Sequence, residues 1–148
     1  RGNPWSSDAG VVSRVLPIVL VVETANNMKE GLMKYVLMFV ETEQFTRDMA
    51  AMSDAERQRA YERVNEWFAG HADKLRGGSK LKAPETATTV RLDRGEPVIT
   101  DGPFVEGKEV VSGYVEIEVA DLDEALQAAK TWPGCPVVEV RPIEFESM

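Results

Sequence analysis

Asp101 and His71 are the two side chains in this sequence that are best placed to transfer a proton. Asp101 precedes a Gly-Pro pair in a turn between predicted strands, and residues of such loops can point into a cleft. A carboxylate there could act as a general base if it lies within hydrogen-bond reach of a substrate proton. An aspartate before Gly-Pro can equally cap its own turn by accepting a backbone N–H. The sequence leaves both interpretations of Asp101 open.

His71 is the only histidine, so any imidazole chemistry must use it. It follows Trp67 and Phe68 on the apolar face of a predicted helix. A general acid or base that lines a pocket would have this position, and so would a partly buried histidine bonded to a backbone carbonyl. We predict Asp101 and His71 as candidate catalytic residues, with both alternatives kept for His71.

Four further residues are predicted to contact a substrate: Arg91, Phe104, Trp67 and Tyr114. The planar guanidinium of an arginine could clamp a carboxylate or a ring oxygen, and the aromatic rings could form pocket walls. Each has a structural alternative. The arginine could pair with a glutamate across a sheet, and the aromatic rings could lie in the core or in a subunit interface.

Several familiar catalytic and binding motifs are missing from the sequence. It has no Gly-x-Gly-x-x-Gly, no Gly-Lys-Ser phosphate loop, no histidine pair and no Gly-x-Ser-x-Gly elbow. The single cysteine, Cys135, permits no intrachain disulfide and has no second thiol for a zinc or redox motif. We therefore expect no cofactor and no metal.

The charge of the chain limits its partners. Asp and Glu number 25 against 17 Lys and Arg, which gives a formal net charge of −8, and the basic residues are dispersed. Such a chain is poorly suited to bind the phosphates of nucleic acid or an anionic membrane surface, and it has no apolar stretch of about 20 residues. We expect a cytoplasmic protein whose ligand is an unidentified small molecule.

The elements of the first half begin with residues 34–40, which are almost continuously apolar and predict a central strand. Ser53-x-x-Glu56 is a capping box and predicts the start of a long helix, which Gly77-Gly78 is predicted to end. Its apolar face is formed by residues at spacings of three and four: Tyr61, Val64, Phe68, His71 and Leu75.

The second half predicts more strands and one more helix. Residues 79–82 and 87–93 are short extended stretches, and the turn at 93–96 before 97–100 predicts a hairpin. Residues 115–119 alternate as in a strand with one wet face. A second capping box, Asp121-x-x-Glu124, predicts a helix that Pro133-Gly134 ends, and residues 137–143 supply the last strand.

This order predicts an α+β, ferredoxin-like domain: a single antiparallel sheet, two helices on one face and an inserted β-hairpin. Two helices cover only one face of such a sheet, so we expect the open faces of two copies to meet in a symmetric homodimer. The domain is assigned to residues 33–148.

Residues 1–32 lack an amphipathic period and are predicted to be a leader or disordered extension outside the fold. One alternative is a signal peptide with the apolar segment 15–22, although Pro17 and Glu23 fit that pattern poorly. The other is translated leader DNA, because Lys29-Glu30-Gly31 can be encoded as a ribosome-binding site just before Met33.

One motif resembles a known family. Asp101-Gly102-Pro103-Phe104, continued through residue 109, resembles the signature of the DGPF branch of the YCII-related family. Matching segments lie at 89–91, 113–114, 123–125 and 138–142, and the resemblance spans roughly 33–143, nearly the whole chain without its predicted leader. It implies a ferredoxin-like fold that usually forms a dimeric α/β barrel.

The resemblance implies less about chemistry, because most members of that family have no established activity. The wider superfamily includes an enzyme that removes chloride from a hydroxylated aromatic ring, with a proposed histidine-aspartate pair. Other proteins with this signature are fused to, or encoded beside, sigma factors. We therefore predict proton-transfer chemistry, such as isomerisation or elimination, on a small polar or aromatic substrate, and keep a noncatalytic regulatory module as the alternative.

Overall fold

The computed structural model describes residues 31–144 of the chain. The predicted leader therefore lies outside the described residues, except for its last two positions. A short 3-10 helix occupies Pro84–Thr86. The other elements are β1 Met33–Thr42, α1 Glu43–Ala51, α2 Asp54–Gly70, β2 Leu75–Lys80, β3 Thr88–Arg91, β4 Val98–Asp101, β5 Glu109–Val119, α3 Leu122–Lys130 and β6 Val137–Pro142.

Four strands form one antiparallel sheet in the order β2-β5-β1-β6, and β3 pairs with β4 in a separate two-stranded hairpin. The sheet interleaves a β1–α2–β2 unit with a β5–α3–β6 unit, as the order of the sequence signals predicted. The predicted α+β class, the antiparallel sheet and the inserted hairpin are confirmed. The sheet does not close into a barrel within residues 31–144 of one chain.

The core lies between one face of this sheet and the helices α2 and α3. Alternate side chains of β1 and β5 point to this face because successive residues of a strand point to opposite sides. Leu37 pairs with Val115, and both are completely or almost completely buried. The other buried apolar residues are Tyr35, Phe39, Val64, Trp67, Phe68, Ile117, Val119, Ala125, Ala128 and Cys135.

Helix α2 begins where the sequence predicted and ends earlier. The Ser53 hydroxyl accepts from the Glu56 N–H at 3.2 Å and the Glu56 carboxylate accepts from the Ser53 N–H at 3.0 Å, so the capping box is present. The predicted end at Gly77-Gly78 was wrong, because the helix stops at Gly70. Both glycines lie in β2, where Gly78 approaches the backbone of β5 too closely for any side chain.

Helix α1 was not predicted, so the domain has three α-helices in the described residues where two were expected. The Thr42 hydroxyl caps it by accepting from the Phe45 N–H at 3.1 Å. None of its side chains is fully buried, and its apolar residues Phe45 and Met49 share one face at a spacing of four. Within residues 31–144, no helix is both long and apolar enough to cross a bilayer.

Candidate functional site

A pocket of about 360 Å³ lies beside the end of β1, between α1, α2 and the loop 132–135. This volume is within the usual range for small-molecule sites, which are mostly apolar clefts with a few polar groups. Its walls are largely apolar, with Phe45, Met49 and Met52 on one side and Trp132 in the loop. The remaining lining residues are Glu41, Thr46, Ala60, Tyr61, Arg63, Val64, Lys80, Ser112, Pro133, Gly134 and Cys135.

The Trp132 wall is fixed by the aromatic core. Its indole stacks on the Phe39 ring at a centroid distance of 3.9 Å and meets the Trp67 ring edge to face at 5.0 Å. The indole also covers Gly134, where a Cβ atom would lie 2.8 Å from three atoms of the Trp132 ring. Glycine is therefore required at this turn, because a side chain would push the indole out of the stack.

A β-bulge shapes the strand side of the pocket. The β1–β5 register shifts after the Phe39–Gly113 pair, so that Val40 pairs with Val111 and Ser112 is the extra residue. The Ser112 hydroxyl donates to the Phe39 carbonyl at 3.2 Å and is buried. Ser112 therefore holds the bulge that brings β5 to the pocket, and its hydroxyl hydrogen is already used.

The charged side chains that line the pocket are mostly cationic, whereas the whole chain has a negative net charge. Among the lining residues within 31–144, Arg63 and Lys80 are cationic and Glu41 is the one acidic residue. Tyr61 and Thr46 add hydroxyl groups. The arrangement can therefore attract a negative charge and hold an apolar body, whereas the whole chain has a net charge of −8.

Cys135 lies at the pocket but is held as a neutral thiol. Burial raises the pKa of the Cys135 thiol, a hydrogen bond from Trp132 opposes this, and the nearby Glu41 carboxylate adds to the increase. Its Sγ lies 3.6 Å from the Val137 carbonyl. Because the thiolate is the nucleophilic form, this cysteine is poorly suited to attack a substrate at neutral pH.

His71 and Trp67 lie together at a second, wider groove between α2 and α3. His71 caps the C-terminus of α2, and its Nδ1 lies 2.7 Å from the Trp67 carbonyl. The Trp67 indole N–H donates to the Ala128 carbonyl and to the Thr131 hydroxyl, both at 3.1 Å. The two Trp67 bonds join α2 to α3. The contact of His71 with the Trp67 carbonyl is the one expected of a partly buried histidine bonded to the backbone.

Asp101, Arg91 and Phe104 lie on the hairpin or in the turn after it. Gly102, with a φ of +98°, donates its N–H to the Ala87 carbonyl at 2.7 Å, and the Thr89 hydroxyl donates to the Gly102 carbonyl at 2.7 Å. The Arg91 guanidinium donates to the Phe104 carbonyl at 3.1 Å. Three hydrogen bonds therefore hold the Asp-Gly-Pro-Phe turn against every second residue of the segment 87–91.

The structure does not bring the predicted site residues together. Asp101 is exposed at the end of β4 and lines neither the pocket nor the groove, and in the described part of the chain it has no hydrogen bond to His71. Tyr114 lies on the open sheet face, where it pairs with Met38. Of the six predicted residues, the structure joins Trp67 to His71 and Arg91 to Phe104.

The comparisons with known proteins identify the family. The model of the YCII-related domain matches residues 33–144. The chain belongs to the YCII-related family. It is also similar to an uncharacterized protein of Rhizobium meliloti (strain 1021), with 36% identity over 107 residues that cover 70% of this chain and 76% of the relative. The resemblance read from the sequence is thereby confirmed at the level of the family.

Proposed function

We propose that this YCII-related protein binds a small molecule in the pocket between α1, α2 and the loop 132–135. The observation that carries the proposal is the stacked Trp132, which lines the same pocket as Phe45, Met49 and Met52, because a ring held by the core gives a preformed surface for an apolar ligand. The polar groups that border the same space would orient the ligand.

Proton transfer on the bound molecule remains part of the proposal. Glu41 is the carboxylate that borders the pocket, and a base must reach the proton that it removes. The predicted pair of Asp101 and His71 stays a prediction, with Arg91, Phe104, Trp67 and Tyr114 as its predicted substrate contacts. Once a ligand that turns over is found, Glu41→Gln and Asp101→Asn compare the two sites, because each change removes one carboxylate.

Binding is tested with a panel of small aromatic and aliphatic fragments, observed by NMR. Ala60 lines the pocket from α2, and Ala60→Leu would fill part of it. Ala69→Leu makes the same change on the exposed face of the same helix and is the matched control. We expect the fragments that bind the wild type to lose binding in the first variant and keep it in the second. Equal binding by both variants would contradict the proposal.

We also propose a homodimer through the open face of the sheet. With the strand order β2-β5-β1-β6, such a dimer would be a dimeric α/β barrel of two ferredoxin-like domains. Val36, Met38 and Tyr114 form a partly exposed apolar centre on this face. Light scattering tests it: Met38→Glu places a charge in that centre and is expected to give a monomer, whereas Lys34→Glu at its edge is expected to stay dimeric. A wild-type monomer at micromolar concentration would contradict the dimer.

The alternative function is a noncatalytic regulatory or interaction module associated with a sigma factor. The hairpin favours a surface of this kind, because Val90, Ile99 and Leu92 are more than half exposed. The DGPF branch of the family, the cytoplasmic location and this association stay predictions. A sigma-factor gene beside the coding sequence would favour the alternative, and a catabolic operon would favour an enzyme.

A further inference from the structure

The pocket has largely apolar walls and more cationic than anionic side chains, and this combination restricts the class of ligand. We infer that it selects a small monoanion with a flat apolar body, such as a one-ring aromatic carboxylate, over neutral and doubly charged molecules of the same size. This inference rests on the proposed function, because it names the ligand class of the same pocket.

The apolar part of the ligand is inferred from the walls. Trp132 presents a ring whose position is set by the stack on Phe39, and the thioether side chains of Met49 and Met52 can adapt to a flat surface. Aromatic rings pack well against such an indole, with offset or edge-on geometry. A volume of about 360 Å³ is near the lower end of the usual range and suits a molecule with one ring.

The negative charge of the ligand is inferred from the balance at the rim. Arg63 and Lys80 give two positive charges, and Glu41 gives one negative charge. The formal charges of the lining residues within 31–144 sum to +1, which favours a ligand with one anionic group. A second anionic group would meet the Glu41 carboxylate, and like charges at close range disfavour binding.

The effects of Lys80 and Arg63 on binding can be distinguished by the spaces that each residue borders. Arg63 borders both the pocket and the outer groove between α2 and α3, whereas Lys80 borders the pocket and is not among the residues of the groove. A loss of anion binding in Lys80→Gln therefore reports on the pocket. Arg59→Gln is the matched control, because Arg59 is exposed on α2 and lines neither space.

The experiment measures the binding of benzoate, benzyl alcohol and phthalate to the full chain by ligand-observed NMR and calorimetry. We expect benzoate to bind more tightly than either of the others. Lys80→Gln and Arg63→Gln should each weaken benzoate binding about fivefold to tenfold, which lies between the usual effect of an exposed ion pair and that of a hydrogen bond to a charged group, and should leave benzyl alcohol binding unchanged. Arg59→Gln should change none of the three.

Glu41→Gln gives the complementary test, because it removes the carboxylate that would repel a dianion. We expect phthalate to gain affinity in this variant by more than benzoate does. Benzyl alcohol that binds as tightly as benzoate, or phthalate that binds best to the wild type, would overturn the inference and leave small-molecule binding intact. If none of the three probes and no fragment of the wider panel binds, both the inference and the proposed function fail.

Discussion

The indole of Trp132 lies on the phenyl ring of Phe39, with ring centroids 3.9 Å apart and 22° between the ring planes. Phe39 is completely buried in β1, whereas Trp132 belongs to the loop after α3 and lines the pocket. The stack therefore ties the wall of the candidate site to the centre of the core. A change in this ring should alter both the stability of the fold and the shape of the pocket.

The first prediction concerns this stack. Trp132→Ala removes the indole from Phe39, Trp67 and Phe68, and we expect it to lower the free energy of unfolding by about 3 kcal/mol. Trp132→Phe keeps a ring on Phe39 and should lose less than half as much. Urea denaturation followed by circular dichroism measures both values. Equal losses in the two variants would show that the stacked ring does not carry the effect.

A second prediction concerns the close approach of β2 to β5. A Cβ at Gly78 would lie 2.8 Å from the Val115 Cα and would clash with the Tyr114 carbonyl oxygen. The backbone there cannot move without breaking the β2–β5 pairing, so Gly78→Ala should cost about 2 kcal/mol or more.

Gly70→Ala is the control for Gly78→Ala. Gly70 ends α2 and has no atom within 4 Å of an added Cβ. Alanine favours the helix more than glycine does, so this variant should be neutral or slightly stabilising. Thermal unfolding of the two variants measures the contrast, and a Gly78→Ala protein as stable as the wild type would contradict the clash.

The extent to which the sequence predicts this fold differs from element to element. The Ser53 and Asp121 capping signals and the apolar run of β1 are local signals, and each led to the correct element, although the Glu124 carboxylate accepts from the Ala120 N–H instead of the Asp121 N–H. The end of α2 is decided by tertiary contacts: Gly77 and Gly78 look like a helix stop, but Gly78 is needed where β2 meets β5. Helix α1 has 9 residues, fewer than the window of about 11 to 18 residues in which a helical period is read, so the spacing of Phe45 and Met49 did not identify it.

The candidate site was harder to predict, because its lining comes from distant parts of the chain. Glu41, Tyr61 and Lys80 come to one pocket only after the sheet and α2 have packed. The local signal that pointed there was the Trp-Pro-Gly-Cys turn, where a glycine two residues after a tryptophan lets the ring fold back. From the sequence, this turn was interpreted through Cys135 and as the end of a helix, so the role of Trp132 as a pocket wall was missed.

A third prediction concerns the reactivity of Cys135. Burial raises the pKa of its thiol above the ordinary value of 9.0, so little thiolate is present at neutral pH. We expect its reaction with a chromogenic disulfide reagent at pH 8 to be much slower in the folded protein than in urea. Equal rates in the folded and unfolded protein would contradict the buried, neutral thiol.

The same pKa shift gives a fourth prediction, on stability at alkaline pH. A raised folded pKa means that the protonated thiol contributes stability below about pH 9, and that this contribution is lost as the pH rises through the folded pKa. The difference in melting temperature between the wild type and Cys135→Ala should therefore decrease above pH 9. A difference that is constant from pH 7 to 10.5 would show that the thiol does not titrate differently on folding.

The last prediction concerns Glu124, which links the start of α3 to the segment after α2. Its carboxylate accepts from the Ala120 N–H at 2.9 Å and lies 3.3 Å from the Lys74 ammonium. The backbone bond, followed by the contact with Lys74, lowers the pKa of Glu124.

A lowered folded pKa places the stabilising effect of Glu124 above its unfolded value of about 4.5, and the effect is lost as the pH falls through the folded pKa. Glu124→Gln should therefore be less stable than the wild type at pH 7 and nearly equal to it in acid. Asp123→Asn changes a neighbouring carboxylate of the same first turn that has no ion pair within residues 31–144, so it controls for the helix dipole. Denaturation curves at several pH values test this, and a Glu124→Gln deficit that persists unchanged at low pH would assign the effect to side-chain shape instead of charge.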